Sequence, residues 1–205
     1  MMLKHRGPSV WWAILLLCGL PVMGWGDTET AIRLYTAERY REGKILLEQF
    51  LATHQRDAVA HYYLGRIHLA LQEYDQAIEH CRTAADIQAQ NAEHYFCLGL
   101  GYGKKAQTAS LVSKALLAPK IKQSFEKTVA LDPQHVQGRV GLANFYLQAP
   151  PVMGGNIDKA HEQAMILLNL NAEKGRQLLD KVLQRKASGT AAAEAAAQEQ
   201  EIFSD

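Results

Sequence analysis

The sequence predicts an all-α chain that folds as a short superhelical solenoid of about four helix pairs, closed by one further C-terminal helix. Two observations lead to this prediction. Leu64-Gly65 recurs 34 residues later as Leu98-Gly99, and a third copy, Leu142-Ala143, follows after 44 residues, which is the same period with ten residues inserted. Apolar residues at helical spacing occur in the insertion between the second and third copies, and again in residues 173–186. Units of this size cannot bury their apolar faces alone, so neighbouring units are expected to stack.

The composition is that of a globular chain. Of the 205 residues, 48% are hydrophobic, and 22 basic side chains nearly balance 21 acidic ones. This balance argues against a disordered polymer and against a strongly basic nucleic-acid-binding protein. Because the charge is nearly balanced, we expect no nucleic acid among the partners. Three cysteines are too few for a miniprotein held together by disulfides.

Residues 1–26 are predicted to be a secretory signal peptide. Lys4 and Arg6 precede a short apolar run that ends at Pro21, and small residues at Gly24 and Gly26 favour cleavage after Gly26. Cleavage would leave 20 bases and 21 acids, a charge that attracts neither phosphate polymers nor anionic membranes. The expected location is periplasmic or secreted.

Two other interpretations of this segment remain open. The apolar run is too short to span a bilayer, but an uncleaved segment reaching Trp25 would serve as a membrane anchor. In that case the chain would touch a membrane only through this segment. Lipid attachment at Cys18 is disfavoured, because Leu17 stands where a bacterial lipobox has a small residue.

The repeated residues resemble the tetratricopeptide repeat family, specifically its exported bacterial members. A Leu-Gly pair followed by an aromatic residue marks the first helix of each unit in that family, as in Leu98-Gly99 with Tyr102. The run from Phe125 to Pro133 matches the second helix and the Asp-Pro that follows it. The first unit lacks the Leu-Gly pair, as terminal repeats often do. The expected units are 28–57, 58–91, 92–135 and 136–172, and together they form the repeat domain 27–172. A capping helix is expected at 173–186, followed by a flexible Ala/Glu/Gln-rich tail at 187–205.

Close packing of helices explains the residue types in the pattern. Small residues allow helix axes to approach, and large apolar residues fill the space beside them. We expect small contact positions at Gly65, Gly99, Ala143, Ala77 and Ala160. The large residues beside them are Leu64, Leu98, Leu142, Tyr74 and Phe125.

Two insertions interrupt the period. Residues 103–118 separate the helices of the third unit and contain apolar residues at helical spacing, after which Pro119 is expected in the first turn of the next helix. Residues 148–156 form a Pro/Gly-rich loop in the fourth unit. Asn156 is a predicted N-cap, with Asp158 in the first turn of the helix that follows.

No catalytic motif can be recognised, and we expect a protein that is not an enzyme. The glycines between Gly99 and Gly103 lack the spacing of a phosphate loop, and packing of helices explains them. His61, His68, His80 and His94 are the only cluster of histidines in the core, but they lack the spacing of a metal motif. No cofactor and no metal are expected.

The resemblance implies a partner-binding face and a possible disulfide. First helices line the concave face in this family, with outward residues one turn apart. Carried over residue by residue, these are Tyr62, Arg66, Leu69, Phe96, Leu100, Lys104, Val140, Asn144 and Leu147. Cys81 and Cys97 fall on helices that are neighbours in the family, so they can form a disulfide or remain two separate thiols.

Two hypotheses of function follow. The first is a non-catalytic scaffold or adaptor that binds a protein or peptide partner on its concave face, after export from the cytoplasm. The alternative is a periplasmic carrier of a small molecule, in which the insertions at 104–118 and 149–156 close over a pocket. Equally, some residues of the concave face are expected simply to pack against the inserted segments.

Overall fold

The structure of the protein is a computed structural model that describes residues 26–202, with side chains described from residue 28 to residue 189. The predicted signal peptide thus lies outside the described residues, except for Gly26 at its end. Nine α-helices and one 3₁₀ turn make up the described part: α1 (Gly26–Thr36), α2 (Tyr40–Thr53), α3 (Ala58–Ala70), α4 (Tyr74–Ile87), α5 (Ala92–Gln107), α6 (Leu111–Leu131), α7 (Val136–Gln148), the turn Pro151–Met153, α8 (Ile157–Leu170) and α9 (Ala172–Ile202).

The helices stack in chain order. Each helix packs against the next one, and contacts also join α1 to α3, α3 to α5, α5 to α7 and α7 to α9. We call α1, α3, α5 and α7 the first helices, and α2, α4, α6 and α8 the second helices. Contact between every helix and its neighbour, and between successive first helices, is the arrangement of a solenoid. The predicted all-α solenoid is therefore confirmed.

Two turns of the same backbone conformation recur at the 34-residue spacing of the sequence repeat. Glu38 and Gln72 stand 34 residues apart, and both have positive φ, 58° and 63°. The amide that follows each of them donates back into the preceding helix, from Arg39 to the Leu34 carbonyl and from Glu73 to the His68 carbonyl, at 2.9 Å in each case. This is the left-handed helix end of a Schellman motif. The first two units therefore turn between their helices in the same way.

The core confirms the predicted packing positions. Leu64, Leu98 and Leu142 are at most 7% exposed, and Ala77, Ala143 and Ala160 are fully buried. A Cβ atom added at Gly65 would lie 2.6 Å from the Cys81 Sγ atom, so only glycine permits this approach of α3 and α4. Tyr74, in contrast, is only half-buried.

The interpretation of the insertion at 103–118 was wrong in one respect. Pro119 does not begin a helix, because α6 is continuous from Leu111 to Leu131 with Pro119 in its interior. Ser110 caps this helix, and its side chain accepts a hydrogen bond from the Ser113 amide at 3.3 Å. A proline removes one intrahelical hydrogen bond, and here the carbonyl left over belongs to Ala115, in an exposed turn where water can solvate it. The insertion thus lengthens the second helix of the third unit.

Residues 148–156 form the predicted loop. Asn156 caps α8 as expected, since its side chain accepts a hydrogen bond from the Lys159 amide at 2.9 Å, and Asp158 lies in the first turn. The Asn156 amide donates to the Tyr146 carbonyl, which ties the loop back to α7. A Cβ atom at Gly155 would lie 1.7 Å from the Ala149 carbonyl oxygen, which explains the glycine there.

The last helix is longer than expected. The capping helix predicted at 173–186 lies within α9, where Leu178 and Val182 are buried against the stack. The same helix continues through residues 187–202, and the alanine-rich sequence has a high helix propensity. The flexibility expected of this tail stays a prediction.

Candidate binding surfaces

A chain of polar side chains crosses the first helices. We call Tyr35, Tyr62, Arg66, Glu93 and His135 the polar ladder. Arg66 on α3 donates to the Tyr62 hydroxyl at 2.7 Å and to the Tyr35 hydroxyl on α1 at 2.9 Å. The Tyr62 hydroxyl in turn donates to Glu93 on α5 at 3.1 Å. Arg66 and Tyr62 together thereby connect three successive units.

The ladder fixes the orientation of its arginine. The Arg66 guanidinium carbon lies 5.5 Å from the centre of the Tyr35 ring and 5.6 Å from that of Tyr62, within the range of cation–π contact. Burial raises the pKa of Tyr62 to about 12 against the opposing effect of Arg66, so the phenol keeps its proton and donates to Glu93. Arg66 is itself only half-buried. It therefore presents a fixed positive charge at the surface.

The ladder ends at the start of α7. His135 is the N-cap of this helix, and its Nδ1 accepts a hydrogen bond from the Gly138 amide at 2.9 Å. This bond leaves the ring proton on Nε2, which lies 3.2 Å from the Glu93 carboxylate. The His135 ring also lies 4.9 Å from the Phe96 ring. Glu93 thus lies between Tyr62 of the second unit and the N-cap of α7, close to His135 but without a hydrogen bond to it.

A cavity of about 440 Å³ lies farther along the stack, between α5, α6, α7 and the loop at 149–153. Ile121, Phe125 and Phe145 are buried residues of its wall, and Met153 from the loop adds a half-buried side. Both insertions contribute to the wall, through the N-terminal half of α6 and through residues 149, 150 and 153.

Two glycines shape the floor of the cavity. A Cβ atom added at Gly99 on α5 or at Gly141 on α7 would lie 2.6 Å from the Phe125 ring. The ring of Phe125 therefore sits between two first helices that have no side chain at the point of contact. Gly99 was a predicted contact position, and Gly141 was missed although it stands one residue before Leu142 of the repeated pair.

Comparisons with known proteins identify the repeat. A sequence model of the tetratricopeptide repeat family matches residues 28–92. Residues 28–92 of this chain belong to the tetratricopeptide repeat family. A comparison with curated proteins found no match. The repeats form the type of fold that typically provides an extended surface for protein–protein interaction.

Solved structures of three other proteins resemble this one in fold, and the first of them is itself a tetratricopeptide repeat protein. The protein TTC0263 from Thermus thermophilus has a TM-score of 0.63 and 19% identity, over 80% of this chain and 88% of that chain. MamA from Desulfovibrio magneticus has a TM-score of 0.64 and 18% identity, over 85% and 92%. The human IFIT1 dimer with PPP-AAAA has a TM-score of 0.59 and 21% identity, over 69% of this chain and 31% of that chain.

The nine residues that the family resemblance placed on one concave face separate into four groups in this repeat protein. Tyr62 and Arg66 belong to the polar ladder. Leu100, Lys104 and Asn144 line the cavity. Leu69, Phe96 and Leu147 are half-buried against the main core, and Val140 packs on the smaller cluster formed by α7, α8 and α9.

Three of the four core histidines meet in the second unit. The Nδ1 atoms of His61 and His80 lie 3.0 Å apart, and the rings of His68 and His80 stack at 5.3 Å. His68 also bonds Glu73 through Nδ1, at 2.6 Å. Burial, together with His68, His61 and Lys44, lowers the pKa of His80 to about 4. His80 is therefore neutral near pH 7.

The same histidines do not form a metal centre in this structure. Among residues 26–202, no group of three or more His, Cys, Asp or Glu side chains is placed to hold a metal ion. The fourth histidine, His94, is buried on α5 beside the Tyr62 ring. These four side chains help to pack α3, α4 and α5 together.

Cys81 and Cys97 meet where the second unit joins the third. The structure connects them by a disulfide between α4 and α5, with their Cα atoms 5.7 Å apart. Both residues are fully buried. The crosslink lies beside Gly65, whose lack of a side chain leaves room for the Cys81 sulfur.

Proposed function

We propose that this tetratricopeptide repeat protein is an exported, non-catalytic scaffold that binds a protein or peptide partner along its first helices. The polar ladder is the observation that carries the proposal. It runs from α1 to the N-cap of α7, and its arginine bonds tyrosines of the first and second units. An oriented arginine between aromatic rings is typical of residues that dominate binding energy at protein interfaces.

The ladder favours a partner with carbonyl or carboxylate oxygens. Arg66 supplies donors and a permanent charge, whereas Glu93 is exposed and can accept hydrogen bonds from backbone amides. Half-buried Phe96 and Leu69 lie on the same first helices and offer apolar contact. An extended peptide, with alternating side chains and free backbone groups, fits this mixture.

Export is part of the proposal. It is supported by the basic start, apolar run and small residues of the segment 1–26. A disulfide between Cys81 and Cys97 is in keeping with an oxidising compartment such as the periplasm. N-terminal sequencing of the protein recovered from the producing cells is expected to begin at Asp27. An N-terminus at Met1 or Met2 would contradict cleavage and favour a membrane anchor.

The scaffold is tested with a matched pair of arginine variants. Arg66→Ala removes the centre of the ladder, whereas Arg82→Ala removes an arginine that bonds the Tyr102 hydroxyl at 2.6 Å from a second helix. Crosslinking in the producing cells, followed by quantitative mass spectrometry, measures the partners that each variant retains. We expect Arg66→Ala to lose most of the partner and Arg82→Ala to retain it. Equal recovery by both variants would contradict binding along the first helices.

A small-molecule carrier is the second candidate, and the cavity is the observation that favours it. The two inserted segments, 104–118 and 149–156, both supply residues to its wall. Native mass spectrometry of protein purified from the producing cells distinguishes the candidates. A retained small mass supports the carrier, and an empty chain supports the scaffold alone.

A further inference from the structure

The cavity between α5, α6, α7 and the loop has an apolar interior. Phe125 and Phe145 are 5% and 8% exposed, and Ile121 and Ala118 beside them are also buried. A volume of about 440 Å³ falls within the range of small-molecule sites, roughly 300–1,000 Å³. Such a space takes an aliphatic or aromatic group of moderate size.

The charges around this cavity have one sign. Lys104 on α5 and Lys114 on α6 are its charged wall residues, and both are exposed. The uncharged polar residues of the wall are Asn144 and two glutamines, Gln107 and Gln148. Among the described residues, no aspartate or glutamate lines the cavity. Its rim is therefore positive over an apolar floor.

The other four lysines of α5 and α6 have partners. Lys105 bonds Asp75, Lys122 lies 3.7 Å from Glu126, and Lys120 and Lys127 lie over the rings of Tyr102 and Tyr95 at 5.7 Å. Within the described part of the chain, Lys104 and Lys114 have no hydrogen-bond, ion-pair or ring partner. Of the six lysines on α5 and α6, the two without a partner are thus the two that line the cavity.

From these observations we infer that the cavity binds a small amphipathic anion, an aliphatic monocarboxylate whose tail enters between Phe125 and Phe145 and whose head meets Lys104 and Lys114. The tail removes apolar surface from water, and the carboxylate forms charge-assisted hydrogen bonds with the two ammonium groups. The amides of Gln107, Asn144 and Gln148 can complete the hydrogen bonding of the head. This inference rests on the carrier as second candidate and specifies its ligand class.

Gly103 offers a way to close the cavity without disturbing the fold. It lines the cavity on α5, and a Cβ atom added there meets nothing within 4 Å. Gly103→Leu is therefore expected to fill the cavity, and it replaces a poor helix former by a good one. Gly189 on α9 is likewise open, with nothing within 4 Å, and it is not part of the cavity wall. Gly189→Leu is thus a matched control.

The inference is tested by titrating the full chain with octanoate, 1-octanol and octylammonium in a calorimeter. We expect octanoate to bind more tightly than octanol, and octylammonium to bind least. Replacing both Lys104 and Lys114 by glutamine should weaken octanoate about tenfold and leave octanol unchanged. Gly103→Leu should abolish binding of octanoate and octanol with no loss of thermal stability, whereas Gly189→Leu should bind as the original chain does.

Three results would overturn the inference. Equal binding of octanoate and octanol, unaffected by the lysine changes, would show an apolar ligand site without selectivity for anions, and the carrier would stand. No binding of either probe, or binding unaffected by Gly103→Leu, would remove both the anion site and the carrier. Binding of a peptide carboxyl terminus but not of octanoate would assign the cavity to the scaffold's partner.

Discussion

The regular half of the stack, residues 28–91, and the inserted half, residues 92–170, differ in the lengths of their helices. Second helices α2 and α4 each have 14 residues, whereas α6 has 21, about two additional turns. In the regular half, side chains of successive first helices meet directly, as Arg66 does with Tyr35. In the inserted half, Glu93 on α5 also lies close to His135 at the start of α7, but farther along the long α6 and the loop at 149–153 border a cavity.

This difference shows what an insertion can add to a repeat. The packing rule is the same in both halves, since Gly65 and Gly99 each admit a side chain from the second helix of the unit. The added residues therefore leave the stack intact and extend beyond it. We conclude that the regular half presents an open face, and that the interruptions of the period create a half-open cavity.

The largest expected effect on stability comes from removal of the Phe125 ring, at the centre of the inserted half. Phe125→Ala removes a side chain that is 5% exposed and lies between Gly99 and Gly141. We expect a cost of about 3–5 kcal/mol in the free energy of unfolding, because a buried aromatic residue leaves a void that helices only partly fill. Urea denaturation measures this cost, with Phe50→Ala as the equivalent change in the regular half. A cost below about 1 kcal/mol for Phe125→Ala would contradict its central place.

The next effect concerns the crosslink between the two halves. Replacing Cys81 and Cys97 together by alanine should cost about 3 kcal/mol, because a disulfide that closes a loop of this size restricts the unfolded chain; the two residues are separated by 16 positions. Thermal unfolding before and after reduction measures the effect in the chain that begins at Asp27. Thiol titration of that chain, denatured but not reduced, should find no free thiol. Two free thiols would show that the halves are joined by packing alone.

Acidification should destabilise the protein through His80, in the regular half. The pKa of His80 is lowered to about 4, whereas an unfolded histidine titrates near about 6.5. Between these two pKa values the unfolded chain therefore binds a proton at His80, whereas the folded chain does not. The contribution is fully present above about pH 6.5 and is lost as the pH falls to about 4, at a cost of about 1–2 kcal/mol after screening at this partly exposed site.

His80→Gln tests this pH dependence. Its free energy of unfolding should fall less steeply between about pH 6.5 and about pH 4 than that of the original chain. His68 also has a pKa lowered by burial, so part of the slope should remain. Identical slopes in the two proteins would mean that His80 takes up its proton in the folded state as readily as in the unfolded one.

The smallest expected effect on stability comes from replacing two glycines of α5, for which we expect changes of opposite sign. Gly103→Ala should stabilise the protein by about 0.5–1 kcal/mol, because alanine restricts the unfolded chain and favours helix. Gly99→Ala should destabilise it, since the new Cβ atom would lie 2.6 Å from the Phe125 ring. Chemical denaturation of the two variants measures the signs. Changes of the same sign would contradict the packing described for α5.

Local patterns predicted the stack well. Leu64, Leu98 and Leu142 were predicted to be buried from the repeated pair and its resemblance to the repeat family, and all three are. Pro119 was misplaced because the first-turn rule for proline is a preference, and an exposed helix surface tolerates the lost hydrogen bond. Apolar spacing in 111–116 indicated a helix, but nothing local showed that it joins the next one.

The polar ladder was predicted only in part. Tyr62 and Arg66 were on the predicted face, whereas Tyr35, Glu93 and His135 were missed, because their contacts cross from one unit to another. A signal for them exists in the sequence. The pairs Tyr35–Arg66 and Tyr62–Glu93 are both separated by 31 positions, one period less one helical turn. Polar pairs at this spacing mark neighbouring first helices.

Binding of octanoate tests most directly whether interruptions of the period create a ligand site in the cavity. The measurement is a titration of the isotope-labelled protein with octanoate, followed through the amide resonances by nuclear magnetic resonance. We predict that the shifts concentrate in α5, α6, α7 and the loop at 149–153, and that the amides of α1 to α4 stay unchanged. Shifts centred on α1 to α4, or no shifts at all, would contradict this assignment of the site to the inserted half.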